Sequence, residues 1–383
     1  MRDIMHDEVL TMSQRGTFNA ITVYPGRELD SNYSMNTVDL CPVGALTSKD
    51  FRFKMRVWFL KETKTIDVDC GTGTNITLWT REDKVYRITP RQNDAVNSCW
   101  MPDSHRLNYK YINAETRIPQ PVIRTDAEAP HRPSTWEPAL ASAAEAVKRI
   151  APNQLAIIAS GRMTNEELYM VRHLAAQIGT DMVDIVPRMG ESDGMLISAD
   201  RNPNTNGARL VLDIEPGSRL DAIREGVRSG SIKGILSLGE DLISPEAGFT
   251  AEDLDKLDYL FMTAHSANET ARHADLVLPG VTYAEKFGTM INVTGRIQRL
   301  NRAIQPIGYA RDDWQIFRDI TLLLGGNPAL KDFNSALDIL TAMSTEYGAL
   351  NGVSWGSIGD GGQPILETGV TIPVVEREKN QGR

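Results

Sequence analysis

Cys41 and Pro42, in the stretch NTVDLCPVGAL at residues 36–46, carry the strongest chemical signal of this chain. A Cys-Pro pair commonly closes the cysteine run that holds an iron–sulfur cluster, after three closely spaced cysteines. Here no cysteine precedes Cys41, and the other two, Cys70 and Cys99, lie far downstream. Three such widely spaced cysteines cannot all pair, so a disulfide framework is not expected and a reducing cytoplasm is the default. No GxGxxG follows a strand pattern, which excludes a dinucleotide fingerprint. His265 and His273, in AHSANETARH at 264–273, read as structural, with Asn268 capping a short helix that Glu269 and Thr270 open.

These residues need elements to position them. Residues 1–56 are polar and irregular and end in the basic-aromatic stretch KDFRFKMR. Between 57 and 112 the pattern is of short strands, VWFLKETKTIDV, NITLWT and KVYRITP, with Arg81-Glu82-Asp83 as a hairpin turn. A Pro-rich linker covers 117–136. Beyond it the texture becomes α/β. A helix is expected over Glu137–Ile150 and a strand over Gln154–Ala159. A second helix opens on a Thr164/Glu167 capping box and runs to about Ile178. Strands at Arg209–Asp213, Gly234–Leu238 and Tyr259–Thr263, with a helix at Ser218–Arg228, continue the alternation. That alternation implies a mostly parallel sheet with helices on both faces. Gly288 and Gly295 bracket a strand turn, and Arg296 is placed to pair with local carboxylates.

With 383 residues the chain can bury a substantial core in two or three domains. A net charge of −9 argues against a nucleic-acid partner, which needs a basic surface. No apolar run reaches membrane-spanning length. The opening MRDIMHDEVL has acids and no apolar centre, so it does not read as a signal peptide.

Four stretches taken together resemble one family: DLCPVGALTSK at 39–49, VYRITPRQNDAVNSCW at 85–100, ETARHADLVLPGVTYAEKFGTMINVTGRIQ at 269–298 and ARDDWQIFRDI at 310–320. The family is the large iron–sulfur subunit of respiratory NADH-quinone oxidoreductase. The C-terminal part of that family belongs to the molybdopterin oxidoreductase superfamily. The implied fold class is α/β. A molybdopterin oxidoreductase-like parallel-sheet domain (113–383) follows a small β-rich domain of the 4Fe-4S type (57–112) and the tail of a ferredoxin-like iron–sulfur domain (1–56).

The resemblance implies that Cys41 is the fourth ligand of a [4Fe–4S] cluster whose other three ligands lie about forty residues upstream. The chain thus reads as an N-terminally truncated member of the family. A second cluster found in some relatives would place Asp67, Cys70, Thr74 and Cys99 at its four ligand positions. With two thiolates lost, the expectation is a vestigial site. A zinc site from Cys70, Cys99, Asp67 and His105 lacks a closed tetrahedral spacing. The molybdenum position falls in TDMVDIVPRMGESDG at 180–194, where Ser192 or Asp193 could be offered as oxygen ligands but lack the flanking pattern. Molybdopterin is not expected.

The implied role is electron relay and scaffolding in the peripheral arm, between NADH/flavin and quinone, with no active site of its own. The alternatives are a catalytic formate dehydrogenase-like molybdopterin enzyme and a redox-inactive assembly protein. Implied partners are the flavin-bearing NADH subunit, ferredoxin-like subunits and an upstream iron–sulfur fragment. The implied location is peripheral, on the cytoplasmic face of the inner membrane, with membrane contact only through the complex. Phe51, Phe53 and Trp58 behind the Cys-Pro turn are expected to need a partner, leaving residues 1–56 poorly ordered alone.

Overall fold

A computed structural model describes residue 5 and residues 8–124 and 129–380. Its centre is a seven-stranded sheet. Five members are parallel: β8 (Leu155–Ala159), β9 (Val183–Ile185), β10 (Gly234–Leu238), β11 (Tyr259–Ala264) and β12 (Leu276–Pro279). The other two, β6 (Val122–Ile123) and β7 (Arg132–Pro133), complete the order β7-β6-β12-β11-β10-β8-β9. The chain passes first to β8, then to β9 on one side of it, and then to β10 on the other. The order therefore reverses between β8 and β10, and such a reversal opens a crevice at the carboxyl ends of the strands.

The strands are buried on both faces, which their near-continuous apolar sequences dictate. Leu155, Ile157 and Ala159 of β8 face one core, with the helices Trp136–Arg149, Asn165–Ile178, Asp313–Leu323 and Ala336–Glu346. Ala156 and Ile158 face the other, beneath Leu220–Ser229, Ala251–Leu254 and Glu269–His273.

The helix Asn165–Ile178 starts as the sequence expects. Thr164 accepts from the Glu167 backbone N–H, and the Glu167 carboxylate accepts from the Thr164 N–H at 2.8 Å. It stops at Gly179, whose φ of +80° suits a residue without a side chain. Thr164→Ala is expected to cost about 1–2 kcal/mol, measured by urea unfolding, with Thr164→Ser recovering most of it.

A three-stranded antiparallel sheet precedes the large one: β3 (Lys61–Ile66), β4 (Asn75–Arg81) and β5 (Lys84–Pro90). Glu82 and Asp83, both at positive φ, make the β4–β5 turn. Its apolar face packs with Met290 and Leu300 from the hairpin β13 (Gly288–Ile291) and β14 (Arg296–Leu300). A final short strand, β15 (Gln363–Pro364), pairs with β14.

The N-terminal region carries a small hairpin, β1 (Leu10–Ser13) with β2 (Ala20–Val23), and a short helix Asn36–Leu40 before Cys41. Residues 31–40 are tied down by polar contacts. Ser34 Oγ and the Met35 N–H donate to Asp103, and Arg106 pairs with Asp39 at 2.7 Å. The Arg87 guanidinium lies 4.6 Å from the Phe51 ring centre and 4.5 Å from that of Trp79. Residues 1–4 and 6–7, which the disorder expectation includes, lie outside the described residues.

Three readings of the sequence need correction. Residues 205–212 form a helix, not a strand over Arg209–Asp213, because Ala208 and Val211 bury against the first core. Val57–Phe59 is a short 3-10 turn, and the strand starts only at Lys61. The 117–136 segment is not a free linker: β6 pairs with β12, and β7 pairs with β6. Residues 125–128 between them lie outside the described residues.

Candidate metal centre and strand-end crevice

The loop after β3 holds Asp67, Asp69 and Cys70. Three sets of bonds from other segments clamp it. The Gly71 N–H donates to Asp200 O and Thr72 Oγ1 to Leu196 O, at 2.8 and 2.6 Å. Asn292 Nδ2 donates to Thr72 O, and the Val293 N–H to Gly71 O. Gln298 Nε2 donates to Gly73 O. A Cβ on Gly71 would sit 2.4 Å from Val293 Cγ1, so the close approach depends on glycine. Against this loop the helix Asp103–Leu107 presents His105, whose Nδ1 lies 2.6 Å from Asp67 Oδ2.

Asp67, Cys70 and His105 are all buried, and their donor atoms lie within 4.8 Å of one another. Burial, reinforced by Asp67, pushes the Cys70 thiol up to about 11. Burial alone would lower His105, but the Asp67 carboxylate outweighs it and leaves the imidazole raised. Burial and the same carboxylate push Asp69 up to about 7. Cys99 does not join this group among the described residues. Its half-buried thiol sits in the field of Glu378 and Asp94. Thr74 is buried in the loop with its hydroxyl unpartnered, and it offers no thiolate.

The crevice between β8 and β10 lies next to this loop. It encloses a cavity of about 90 Å³ lined by Val68, Tyr111, Arg162, His265, Lys286 and Asp313, among others. Cavities for drug-sized ligands start at about 300 Å³. Burial and the cations Arg117, Lys286 and Arg162 hold His265 down at about 4. Around the suggested molybdenum position the side chains are occupied. Arg188 pairs with both oxygens of Glu240. Asp193 accepts from Tyr33 Oη at 2.6 Å and from the N–H groups of Met195, Leu196 and Ile197. Ser192 Oγ accepts from the Gly194 N–H. His273 pairs with Asp255, and Asn268 caps Glu269–His273 as expected. Arg296 donates to the carbonyls of Gly361 and Gly362 rather than to carboxylates.

Cys41 stands apart, at the end of its short helix. The backbone N–H of Leu46, and then those of Val43, Ala45 and Gly44, favour the charged form and hold its thiol below the ordinary range. Converging N–H groups stabilise a thiolate, the form that binds metal.

Three family descriptions match successive parts of the chain. Residues 1–47 match the NADH-quinone oxidoreductase subunit 3 ferredoxin-like domain, and residues 60–110 the NADH-ubiquinone oxidoreductase NDSU1/NuoG-like 4Fe-4S domain. Residues 187–321 match molybdopterin oxidoreductase. Among curated relatives, the G subunit of NADH-quinone oxidoreductase from Rickettsia prowazekii is 34% identical over 332 residues, covering 82% of this chain and 47% of the relative. The chain is a homologue of that G subunit. The mitochondrial 78 kDa subunit of NADH-ubiquinone oxidoreductase from Candida albicans is 26% identical over 452 residues, covering 88% of this chain and 62% of the relative. The homologue described here thus spans less than two thirds of the length of the curated relatives it matches. Acetylene hydratase from Pelobacter acetylenicus shares the fold, with a TM-score of 0.57 at 9% identity, over 77% of this chain and 73% of that one.

Proposed function

We propose that this homologue is an electron-relay and scaffold component of the peripheral arm of NADH-quinone oxidoreductase. The observation that carries the reading is the Cys41-Pro42 turn, which ends a short helix inside the segment 1–47 that matches a ferredoxin-like domain. A bound [4Fe–4S] cluster supplies one-electron transfer. The chain's own contribution is to hold one thiolate on the tethered segment 31–41. Three further thiolates come from a neighbouring iron–sulfur segment. The flavin-bearing NADH subunit and ferredoxin-like subunits are the proposed partners. Beside the turn, Val43, Trp58 and Phe59 are exposed, and Phe53 is 92% exposed. An apolar cluster of this kind favours burial against a partner.

In this reading residues 1–56, 57–112 and 113–383 are three units, and the last is a molybdopterin oxidoreductase fold kept for packing, without its cofactor. No helix among the described residues is long and apolar enough to cross a membrane. Attachment is through the complex, at the cytoplasmic face of the inner membrane.

Reconstituted anaerobically with iron and sulfide, the isolated chain is expected to bind far less than a full cluster. About four irons per chain with a cubane EPR signal would overturn the ligand assignment. In the assembled complex, Cys41→Ser is expected to abolish one cluster signal and NADH-to-quinone transfer while sparing NADH oxidation by an artificial acceptor. An unchanged EPR spectrum would refute the relay role.

A further inference from the structure

We propose that Asp67, Cys70 and His105 form a mononuclear site for a divalent transition metal, zinc being the best match, and not the remnant of a cluster. A cubane needs a separate donor for each of four irons, so its ligands surround a body several ångströms across. The three donor atoms here lie within 4.8 Å of one another, near enough to share one ion. Around a tetrahedral zinc ion with bonds of about 2.0–2.3 Å, donors lie about 3.3–3.8 Å apart. Only small displacements separate the two arrangements. The 2.6 Å contact between His105 and Asp67 opens as the ion takes the place of the proton between them.

Charge supports the same assignment. A thiolate, a carboxylate and a neutral imidazole carry two negative charges, so a divalent ion leaves the buried site neutral. A mixed sulfur, nitrogen and oxygen donor set is one that zinc accepts. The donors are also held in advance. Cys70 and Asp67 sit on the loop clamped by Leu196, Asp200, Asn292, Val293 and Gln298. His105 sits on the helix whose Asp103 is bound by Ser34 and Met35. Asp69, held by Asn108 Nδ2 at 2.7 Å, adds a second carboxylate beside the site.

The ion would bond the loop to the helix and so stiffen the junction between the three-stranded sheet and the strand-end crevice. All three donors lie within the 60–110 segment that matches a 4Fe-4S domain. With zinc there, that segment relays no electrons, and transfer through this chain rests on the Cys41 turn alone. The site itself does not depend on the relay reading.

The test is a cobalt(II) titration of the full chain after chelation and desalting, read by absorption. One equivalent is expected to give a thiolate-to-cobalt charge-transfer band and tetrahedral visible bands, and zinc should displace it. The double variant Cys41→Ser/Cys99→Ser keeps Cys70 as its only thiol and should retain the full signal. Cys70→Ser and His105→Gln should weaken cobalt binding at least about ten-fold, and Cys70→Ser should abolish the charge-transfer band. No band at one equivalent in the double variant would overturn the proposal, even if the ligand variants fail to fold. Stoichiometric acid-labile sulfide with the native metal would overturn it too.

Discussion

Lys286→Met is expected to destabilise the protein by about 3–5 kcal/mol, because it strands buried carboxylates. Lys286 Nζ donates to both oxygens of Glu167, at 2.9 and 2.8 Å, with side chains 8% and 1% exposed. Glu167 also caps its own helix through Thr164. Asp313 lies within the same electrostatic reach, and burial together with Glu167 already pushes it up to about 7. Without the ammonium, Asp313 keeps to still higher pH, in the folded state, a proton that it releases at about pH 4 when unfolded. Stability is therefore lost as pH rises through that window, and the variant's deficit should be larger at pH 8 than at pH 5. Urea unfolding at the two pH values measures it. An equal deficit at both would show that the carboxylates are not the cause.

Arg117→Met should be comparably severe, again about 3–5 kcal/mol. The Arg117 and Glu285 side chains are each 1% exposed and pair at 2.6 Å. Arg117 Nε donates to His265 O and Nη1 to Ile112 O, both at 2.9 Å. One guanidinium thus joins the end of the small β-rich region, the turn after β11 and the turn before β13. Arg149, whose partner Glu145 is exposed with it on a helix surface, is the control. Arg149→Ala should change stability by less than about 0.5 kcal/mol. Comparable losses in the two variants would mean that burial of the pair is not what sets the cost.

The elements read correctly from sequence are those whose local chemistry agrees with their tertiary surroundings. The Thr164/Glu167 box, the apolar run at β8 and the Asn268 cap each carry their own signal. Arg209–Asp213 misled because a short apolar run suits a strand and a helix face equally, and only packing decides. The 117–136 segment looks like a linker because a two-residue strand has no periodicity to detect. Asp67, Cys70 and His105 are named in the sequence as a zinc set together with Cys99, but their gathering as a group of three is not legible there. A hairpin and a turn separate the loop from the helix, so no fixed spacing marks the three residues.

The two outer edges of the large sheet bear on how the protein behaves away from any assembly. One edge is β9, three residues long, and the other is β7, two residues ending in Pro133. Strands so short, one closed by a residue with no N–H to donate, offer a neighbouring copy almost no backbone to pair with. Strand addition is disfavoured at both edges of this sheet. Self-association of an orphan chain would instead run through the side chains of Phe53, Trp58 and Phe59, giving amorphous clusters that detergent disperses.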